Sequence, residues 1–141
     1  MIEDLIRIAE ECGMTLTPVV DYAALDNQAS KTGLAEALFV MLPKSQEDRI
    51  GAYGESTITR VELVALGGAE YNSSDISEFH AVEAVAESLK GKLHSLITAI
   101  VDTGRYDSLS RVSYKIIPWA YTSQQVAVTA TFDLVKPNSP C

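Results

Sequence analysis

Cysteine, basic residues and long apolar runs are all scarce in this chain, and each scarcity removes a class of function. Only two cysteines occur among 141 residues, Cys12 and Cys141, at opposite ends. Small secreted scaffolds carry more cysteines at closer spacing, and a zinc centre needs them clustered, so both are expected as free thiols in a reducing cytoplasm, with a disulfide between them as the alternative. Lys and Arg number 11 against 19 Asp and Glu, a net charge of -8. A surface that coats DNA or RNA neutralises phosphates with clustered cations, which this balance disfavours; the charge serves solubility. No stretch approaches the roughly 18 apolar residues that cross a bilayer. Met1 to Glu10 holds three acidic residues and no long apolar core, unlike a secretion signal.

What is present is a globular pattern. A hydrophobic share of 47% is far above that of disordered chains, and the length suits one domain. Ile2, Leu5, Ile6 and Ile8 recur at helical spacing and Gly13 follows as a cap, which predicts a short amphipathic first helix. Met14 to Tyr22 is β-branched but contains Pro18, which restricts it to an edge or an irregular extension. Asp26 to Gly33 reads as a polar connection. Ala35 to Leu42 is continuously apolar, as in a strand covered on both faces. Pro43 to Ser56 is polar enough to predict a long mobile loop. Thr57 to Leu66 alternates as a strand and stops at Gly67 and Gly68.

The last third carries the strongest signal. From Glu78 to Asp102, Phe79, Val82, Ala86, Leu89, Leu93, Ile97 and Ile100 recur at intervals of three and four, predicting a long helix whose stripe faces a sheet. Asp75, three residues before Glu78, resembles a capping box, and Gly91 within the helix predicts a close approach to a strand or, alternatively, to a neighbouring subunit. Two strands follow, Ser110 to Trp119 and Gln125 to Val135, joined by a turn over Tyr121 to Gln124. Pro118 places the end of the first at an edge or a bulge. Residues 136–141, with two prolines, read as a flexible C-terminal tail beyond a single domain over 1–135.

No catalytic, metal or cofactor motif appears. His80, Glu87 and His94 share a face of the long helix, but two turns separate each from the next, about 10 Å of rise, so they do not converge on one ion. Cys12 and Cys141 lie in no motif that lowers a thiol pKa, no Gly-x-Ser-x-Gly elbow occurs, and the glycines at 51, 54, 67 and 68 lack the lysine of a phosphate loop. Asp21, Asp26 and Asp48 lack calcium-loop spacing and read as loop solvation. Tyr106, Tyr114, Trp119 and Tyr121 gather in or just before the closing hairpin, where Trp119 and Tyr121 suit core and interface equally.

The predicted class is therefore α+β: a single domain of order α-β-β-β-α-β-β, with a mostly antiparallel sheet and the long helix packed on one face. That order, the run Ala37 to Leu42 followed by a long polar hairpin loop, the helix from Glu78 and the alternating last strand Val126 to Val135 resemble the tailed-phage tail terminator or tail completion proteins, also called minor tail proteins, including prophage-encoded ones. The resemblance implies a non-enzymatic virion assembly subunit without cofactor or metal. It would be a homo-oligomer, commonly a hexameric ring, that stops tube growth and joins the tail-tube to head-connector proteins, without sequence-specific nucleic acid binding or a membrane. Such a protein is cytoplasmic during assembly and then part of the virion, and an acidic lumen would let DNA pass. The candidate assembly surface is Lys44, Glu47, Asp48, Arg49, Tyr53, Trp119 and Tyr121. Two other classes compete: a small-ligand-binding or regulatory protein with a pocket between helix and sheet and the 44–55 loop as lid, and a hydrolase with His80 or His94 as base.

Overall fold

A computed structural model describes residues 1–32, 36–51, 54–68, 76–106, 111–120 and 125–138. Along the chain these form α1 (Ile2–Glu11), β1 (Leu16–Val19), α2 (Tyr22–Thr32), β2 (Ala37–Met41), β3 (Gln46–Gly51), β4 (Gly54–Gly67), α3 (Ile76–Asp102), β5 (Val112–Ala120) and β6 (Gln125–Asn138). The class is α+β in a single domain, and the long helix packs on one face of a mostly antiparallel sheet, as its periodicity predicts. The structure adds two elements, α2 and β3, to the order read from the sequence.

The sheet is built on the two longest strands. β4 and β6 pair antiparallel without interruption from Glu55↔Asn138 to Gly67↔Val126. The spatial order is β1-β2-β4-β6-β5, and β3 joins the free side of β4 beyond the end of β2. β2 covers Leu63 to Leu66 of β4, whereas β3 covers Gly54 to Thr59. Among the described strands only β1 and β2 run parallel. Parallel neighbours need a crossover, and α2 supplies it.

Alternation along β4 and β6 sends side chains to two separate cores. Val61, Leu63, Ala65, Val128, Ala130 and Phe132 meet α1 and α3 on one face, while Val64, Leu66 and Ala127 meet Leu25 and Ala29 of α2 on the other. α1 docks through Leu5, Ile8 and Ala9. It ends as predicted at Gly13, whose φ of 76° allows the Met14 amide to reach the Ala9 carbonyl at 2.9 Å and its own amide to reach Glu10 at 3.0 Å.

Several expectations are corrected. The polar connection 26–33 belongs largely to α2: the Asp21 carboxylate accepts the Ala24 amide at 2.8 Å and so caps that helix, a role beyond loop solvation. Within the polar run 43–56, residues 46–51 and 54–56 are strand, paired as β3 on β4, and that pairing satisfies the backbone of a strand exposed throughout. Strand β6 continues through Asn138, so 136–138 are paired and not a tail. Phe79 leaves the predicted stripe, being 62% exposed, and Leu96 joins it fully buried. At Gly91 an added Cβ would meet nothing within 4 Å; the close approach is at Gly67, where it would meet Val85 at 3.0 Å and Leu89 at 3.3 Å. Pro18 lies on the edge strand β1, and Pro118 falls at a register shift between Ile117 and Ala120 of β5, another edge strand. The proposed cap at Asp75 and the turn over Tyr121 to Gln124 lie outside the described residues.

Candidate functional site

The β4–β6 ladder decides where the predicted surface residues go. Its twelve register steps span about 40 Å. At one end β3, the start of β4 and the end of β6 form a three-stranded ribbon beyond the helices. Glu47, Asp48 and Arg49 lie on β3, all exposed. Glu47 and Arg49 share the face of Ile58 and Ser56, and Asp48 on the opposite face accepts the Thr57 hydroxyl at 2.9 Å. Lys44, just before the ribbon, places its ammonium 5.6 Å from the Tyr22 ring. The backbone of Trp119 closes β5 beside the start of β6, at the opposite end of the ladder. Tyr53 and Tyr121 lie outside the described residues. The structure therefore splits the candidate surface between two distant ends.

Three features were not singled out from the sequence. Ile50 is 79% exposed at the ribbon tip, an apolar residue inside a polar run. Phe79 and Ile116, both exposed, line a groove with Val82, Ala86 and the stems of Glu87 and Lys90, beside edge strand β5. Lys90 also lies 5.0 Å over the Tyr114 ring. The third is a polar depression of about 430 Å³ on the sheet face opposite α3, lined by Arg60, Arg111, Ser113, Thr131 and Asp133. There α2 ends its cover, and Arg60 pairs with Asp133 at 3.2 Å. The signal for it was available only as a cross-strand row, which no spacing along the chain reveals.

A cavity of about 440 Å³ opens between α3 and the beginnings of β1 and β2, with Met14, Leu38 and Leu89 on its apolar side and Thr15 and Thr17 on its polar side. Lys92 and Glu36 form an ion pair on its rim.

The most connected polar cluster ties α1 to the turn after α3. Asp4 Oδ1 accepts from Arg7 at 2.5 Å and from Arg105 at 2.6 Å, and its Oδ2 accepts the Tyr106 hydroxyl at 3.2 Å. The Arg105 hydrogen bond, chiefly, holds the Asp4 carboxyl below its ordinary value against partial desolvation. Burial, then the Asp4 charge, pushes the Tyr106 hydroxyl up. This arrangement clamps α1 to the turn after α3.

His80, Glu87 and His94 are exposed along α3, and Cys12 is an exposed thiol. Among the described residues no group of His, Cys, Asp and Glu converges as metal ligands, no buried side-chain polar atom lacks a partner, and no helix is long and apolar enough to cross a membrane. In comparisons with known proteins, no family model and no curated protein sequence matches this chain.

Proposed function

We propose that the chain is a structural subunit of a phage or prophage tail, assembling with further copies of itself into a ring that terminates the tail tube and joins it to the head. The observation that carries this reading is the ladder itself, with an exposed ribbon at one end and the β5–β6 connection at the other. A subunit that bridges a tube and a connector needs two different, well-separated contact ends, and a heterologous arrangement of subunits forms a ring where its rotation closes. Catalysis plays no part in this reading. The ribbon tip, with Ile50 and Arg49, is assigned to one neighbouring component and the end near Trp119 to the other.

Sedimentation velocity over rising concentration tests the ring. The expected result is a species several times 15.3 kDa, lost on deleting Lys44 to Glu55, and electron microscopy of purified tail tubes is expected to show the protein at one tube end. Tubes that elongate unchanged in its presence, with the protein on neither end, would refute the assignment.

A second reading is favoured by the cavity between α3 and the β1–β2 edge, whose size falls in the range of small-molecule sites. In that reading a small amphiphile lies on Leu38 and Leu89 with its polar end at Lys92 and Glu36. A ligand screen read by melting temperature separates the two: a ligand-dependent rise, abolished by Leu89→Trp, supports binding.

A further inference from the structure

We infer that the bare half of the sheet's second face docks the acidic helical face of a second copy of this chain. This inference rests on the ring-forming reading and names the two surfaces that meet. α2 contacts β1 and β2, and of β4 and β6 its cluster buries Val64, Leu66 and Ala127, so among the described residues the face over the first half of β4, the second half of β6 and β5 before Ile117 carries no helix. By register, Arg60, Asp133 and the position of Arg111 form one cross-strand row there, and Glu62, Thr131 and Ser113 form the next.

The charges on that face run against those of the molecule. The chain carries -8, yet Arg49, Arg60, Arg111 and Lys115 lie on this side of the sheet against Glu47, Glu62 and Asp133, four cations to three anions. Arg60 has Asp133, and Glu62 accepts the Tyr22 hydroxyl. Arg111 and Lys115, both exposed, make no ion pair among the described residues. Asp133 stands between Arg60 and Arg111 in their row, while the small hydroxyl side chains of Ser113 and Thr131 keep the next row low between Arg111 and Lys115, leaving those two cations open to a carboxylate from outside.

The complementary surface is on the same molecule. On the outward sides of α1 and α3, Glu3, Glu10, Glu11, Glu83, Glu87 and Asp102 are exposed. The cations nearby are mostly engaged: Arg7 and Arg105 hold Asp4, and Lys92 holds Glu36. A sheet face meeting a helix face is a heterologous contact, since each copy offers both halves, and it propagates around a ring instead of closing as a two-fold dimer. Charge of opposite sign on the two halves fixes their register and excludes like-with-like pairing. Pro18 and Pro118 on edge strands β1 and β5 oppose the competing route, strand addition from copy to copy, at those two edges.

The test is a charge swap on the intact chain, read by sedimentation velocity. Wild-type association is expected to weaken as salt rises from about 0.05 M to about 0.5 M. Arg111→Glu with Lys115→Glu, at exposed positions without ion pairs, is expected to weaken it about tenfold at an unchanged melting temperature, and Glu83→Lys with Glu87→Lys to do the same. The chain carrying all four changes is expected to recover. Association that is unmoved by either pair overturns this docking while leaving the ring intact; a mass of 15.3 kDa at every concentration and salt removes the self-assembled ring as well. Duplex DNA retained by the wild type and lost by Arg111→Glu with Lys115→Glu would assign the face to phosphates and overturn it too.

Discussion

Gly67 lies close under α3, and two methyl-bearing side chains set the consequence of changing it. A Cβ there would lie 3.0 Å from Val85 Cγ1 and 3.3 Å from Leu89 Cδ2, and Leu89 is fully buried with little room to retreat. Gly67→Ala is therefore expected to destabilise the protein by about 1–2 kcal/mol through overpacking, measured by denaturant unfolding. Gly91→Ala should act in the opposite sense. Its site is open in the middle of α3, so the substitution gains helix propensity and is expected to stabilise by about 0.5–1 kcal/mol in the same assay. Sequence alone points to the wrong glycine of the two. A helical glycine stands out in a periodic pattern, whereas Gly67 looks like an ordinary strand end; which of them faces a neighbour depends on how the helix lies on the sheet. Phe79 was misplaced for a related reason: its spacing fits the stripe, but the sheet beneath the first turns of α3 ends at β5 and leaves the ring over the groove with Ile116.

At the scale of elements, the strongly periodic ones were legible and the weakly amphipathic ones were not. α1, β2, β4, α3 and β6 each bury a continuous stripe or run, and β5 half-buries Val112 and Tyr114 against the core, so composition and spacing reveal them. α2 buries only Leu25 and Ala29 outright, one turn apart, and its polar majority reads as a connection. Its discoverable signal is Asp21 before Tyr-Ala-Ala-Leu, a cap followed by helix formers. Asp21→Ala should cost about 1 kcal/mol and raise hydrogen exchange within α2 more than elsewhere. β3 is harder still, because no residue in it is buried and its alternation carries no apolar signal; backbone pairing with β4, itself paired with β6, is what orders it. The clamp between α1 and the end of α3 gives this scale its pH dependence. Asp4 titrates lower folded than unfolded, so its contribution is fully present above the ordinary value of 3.8 and is lost as pH falls from there through the folded value. Asp4→Asn is expected to cost about 1 kcal/mol at neutral pH, and the gap to wild type should close across that acid window in pH-dependent unfolding.

For the whole molecule, the division between core and ribbon separates stability from assembly. The β4 and β6 residues buried under the helices lie along the ladder from Thr59↔Leu134 to Gly67↔Val126, with Leu16, Val19, Leu38, Phe39, Val40 and Met41 of β1 and β2 beside them, while the ribbon beyond contributes no buried residue from β3. An aliphatic side chain left 79% exposed at the ribbon tip gains almost nothing in the folded monomer, and contacts with another molecule are where it would gain. The sequence contains both parts of this arrangement, an apolar residue in a polar run and two edge prolines, but not the distance between the ribbon and the β5–β6 end, because that distance follows from the register of β4 on β6. Ile50→Ser accordingly separates the two roles. Its melting temperature should match that of the wild type, with a change within about 0.5 kcal/mol as for an ordinary surface position. If the ribbon tip is a contact end of the ring or of its join to the tube, the same substitution should lower the fraction sedimenting above 15.3 kDa, or the fraction bound to tube ends, at fixed concentration. A variant that loses stability instead would place Ile50 in the fold of the monomer and take the ribbon out of the assembly surface.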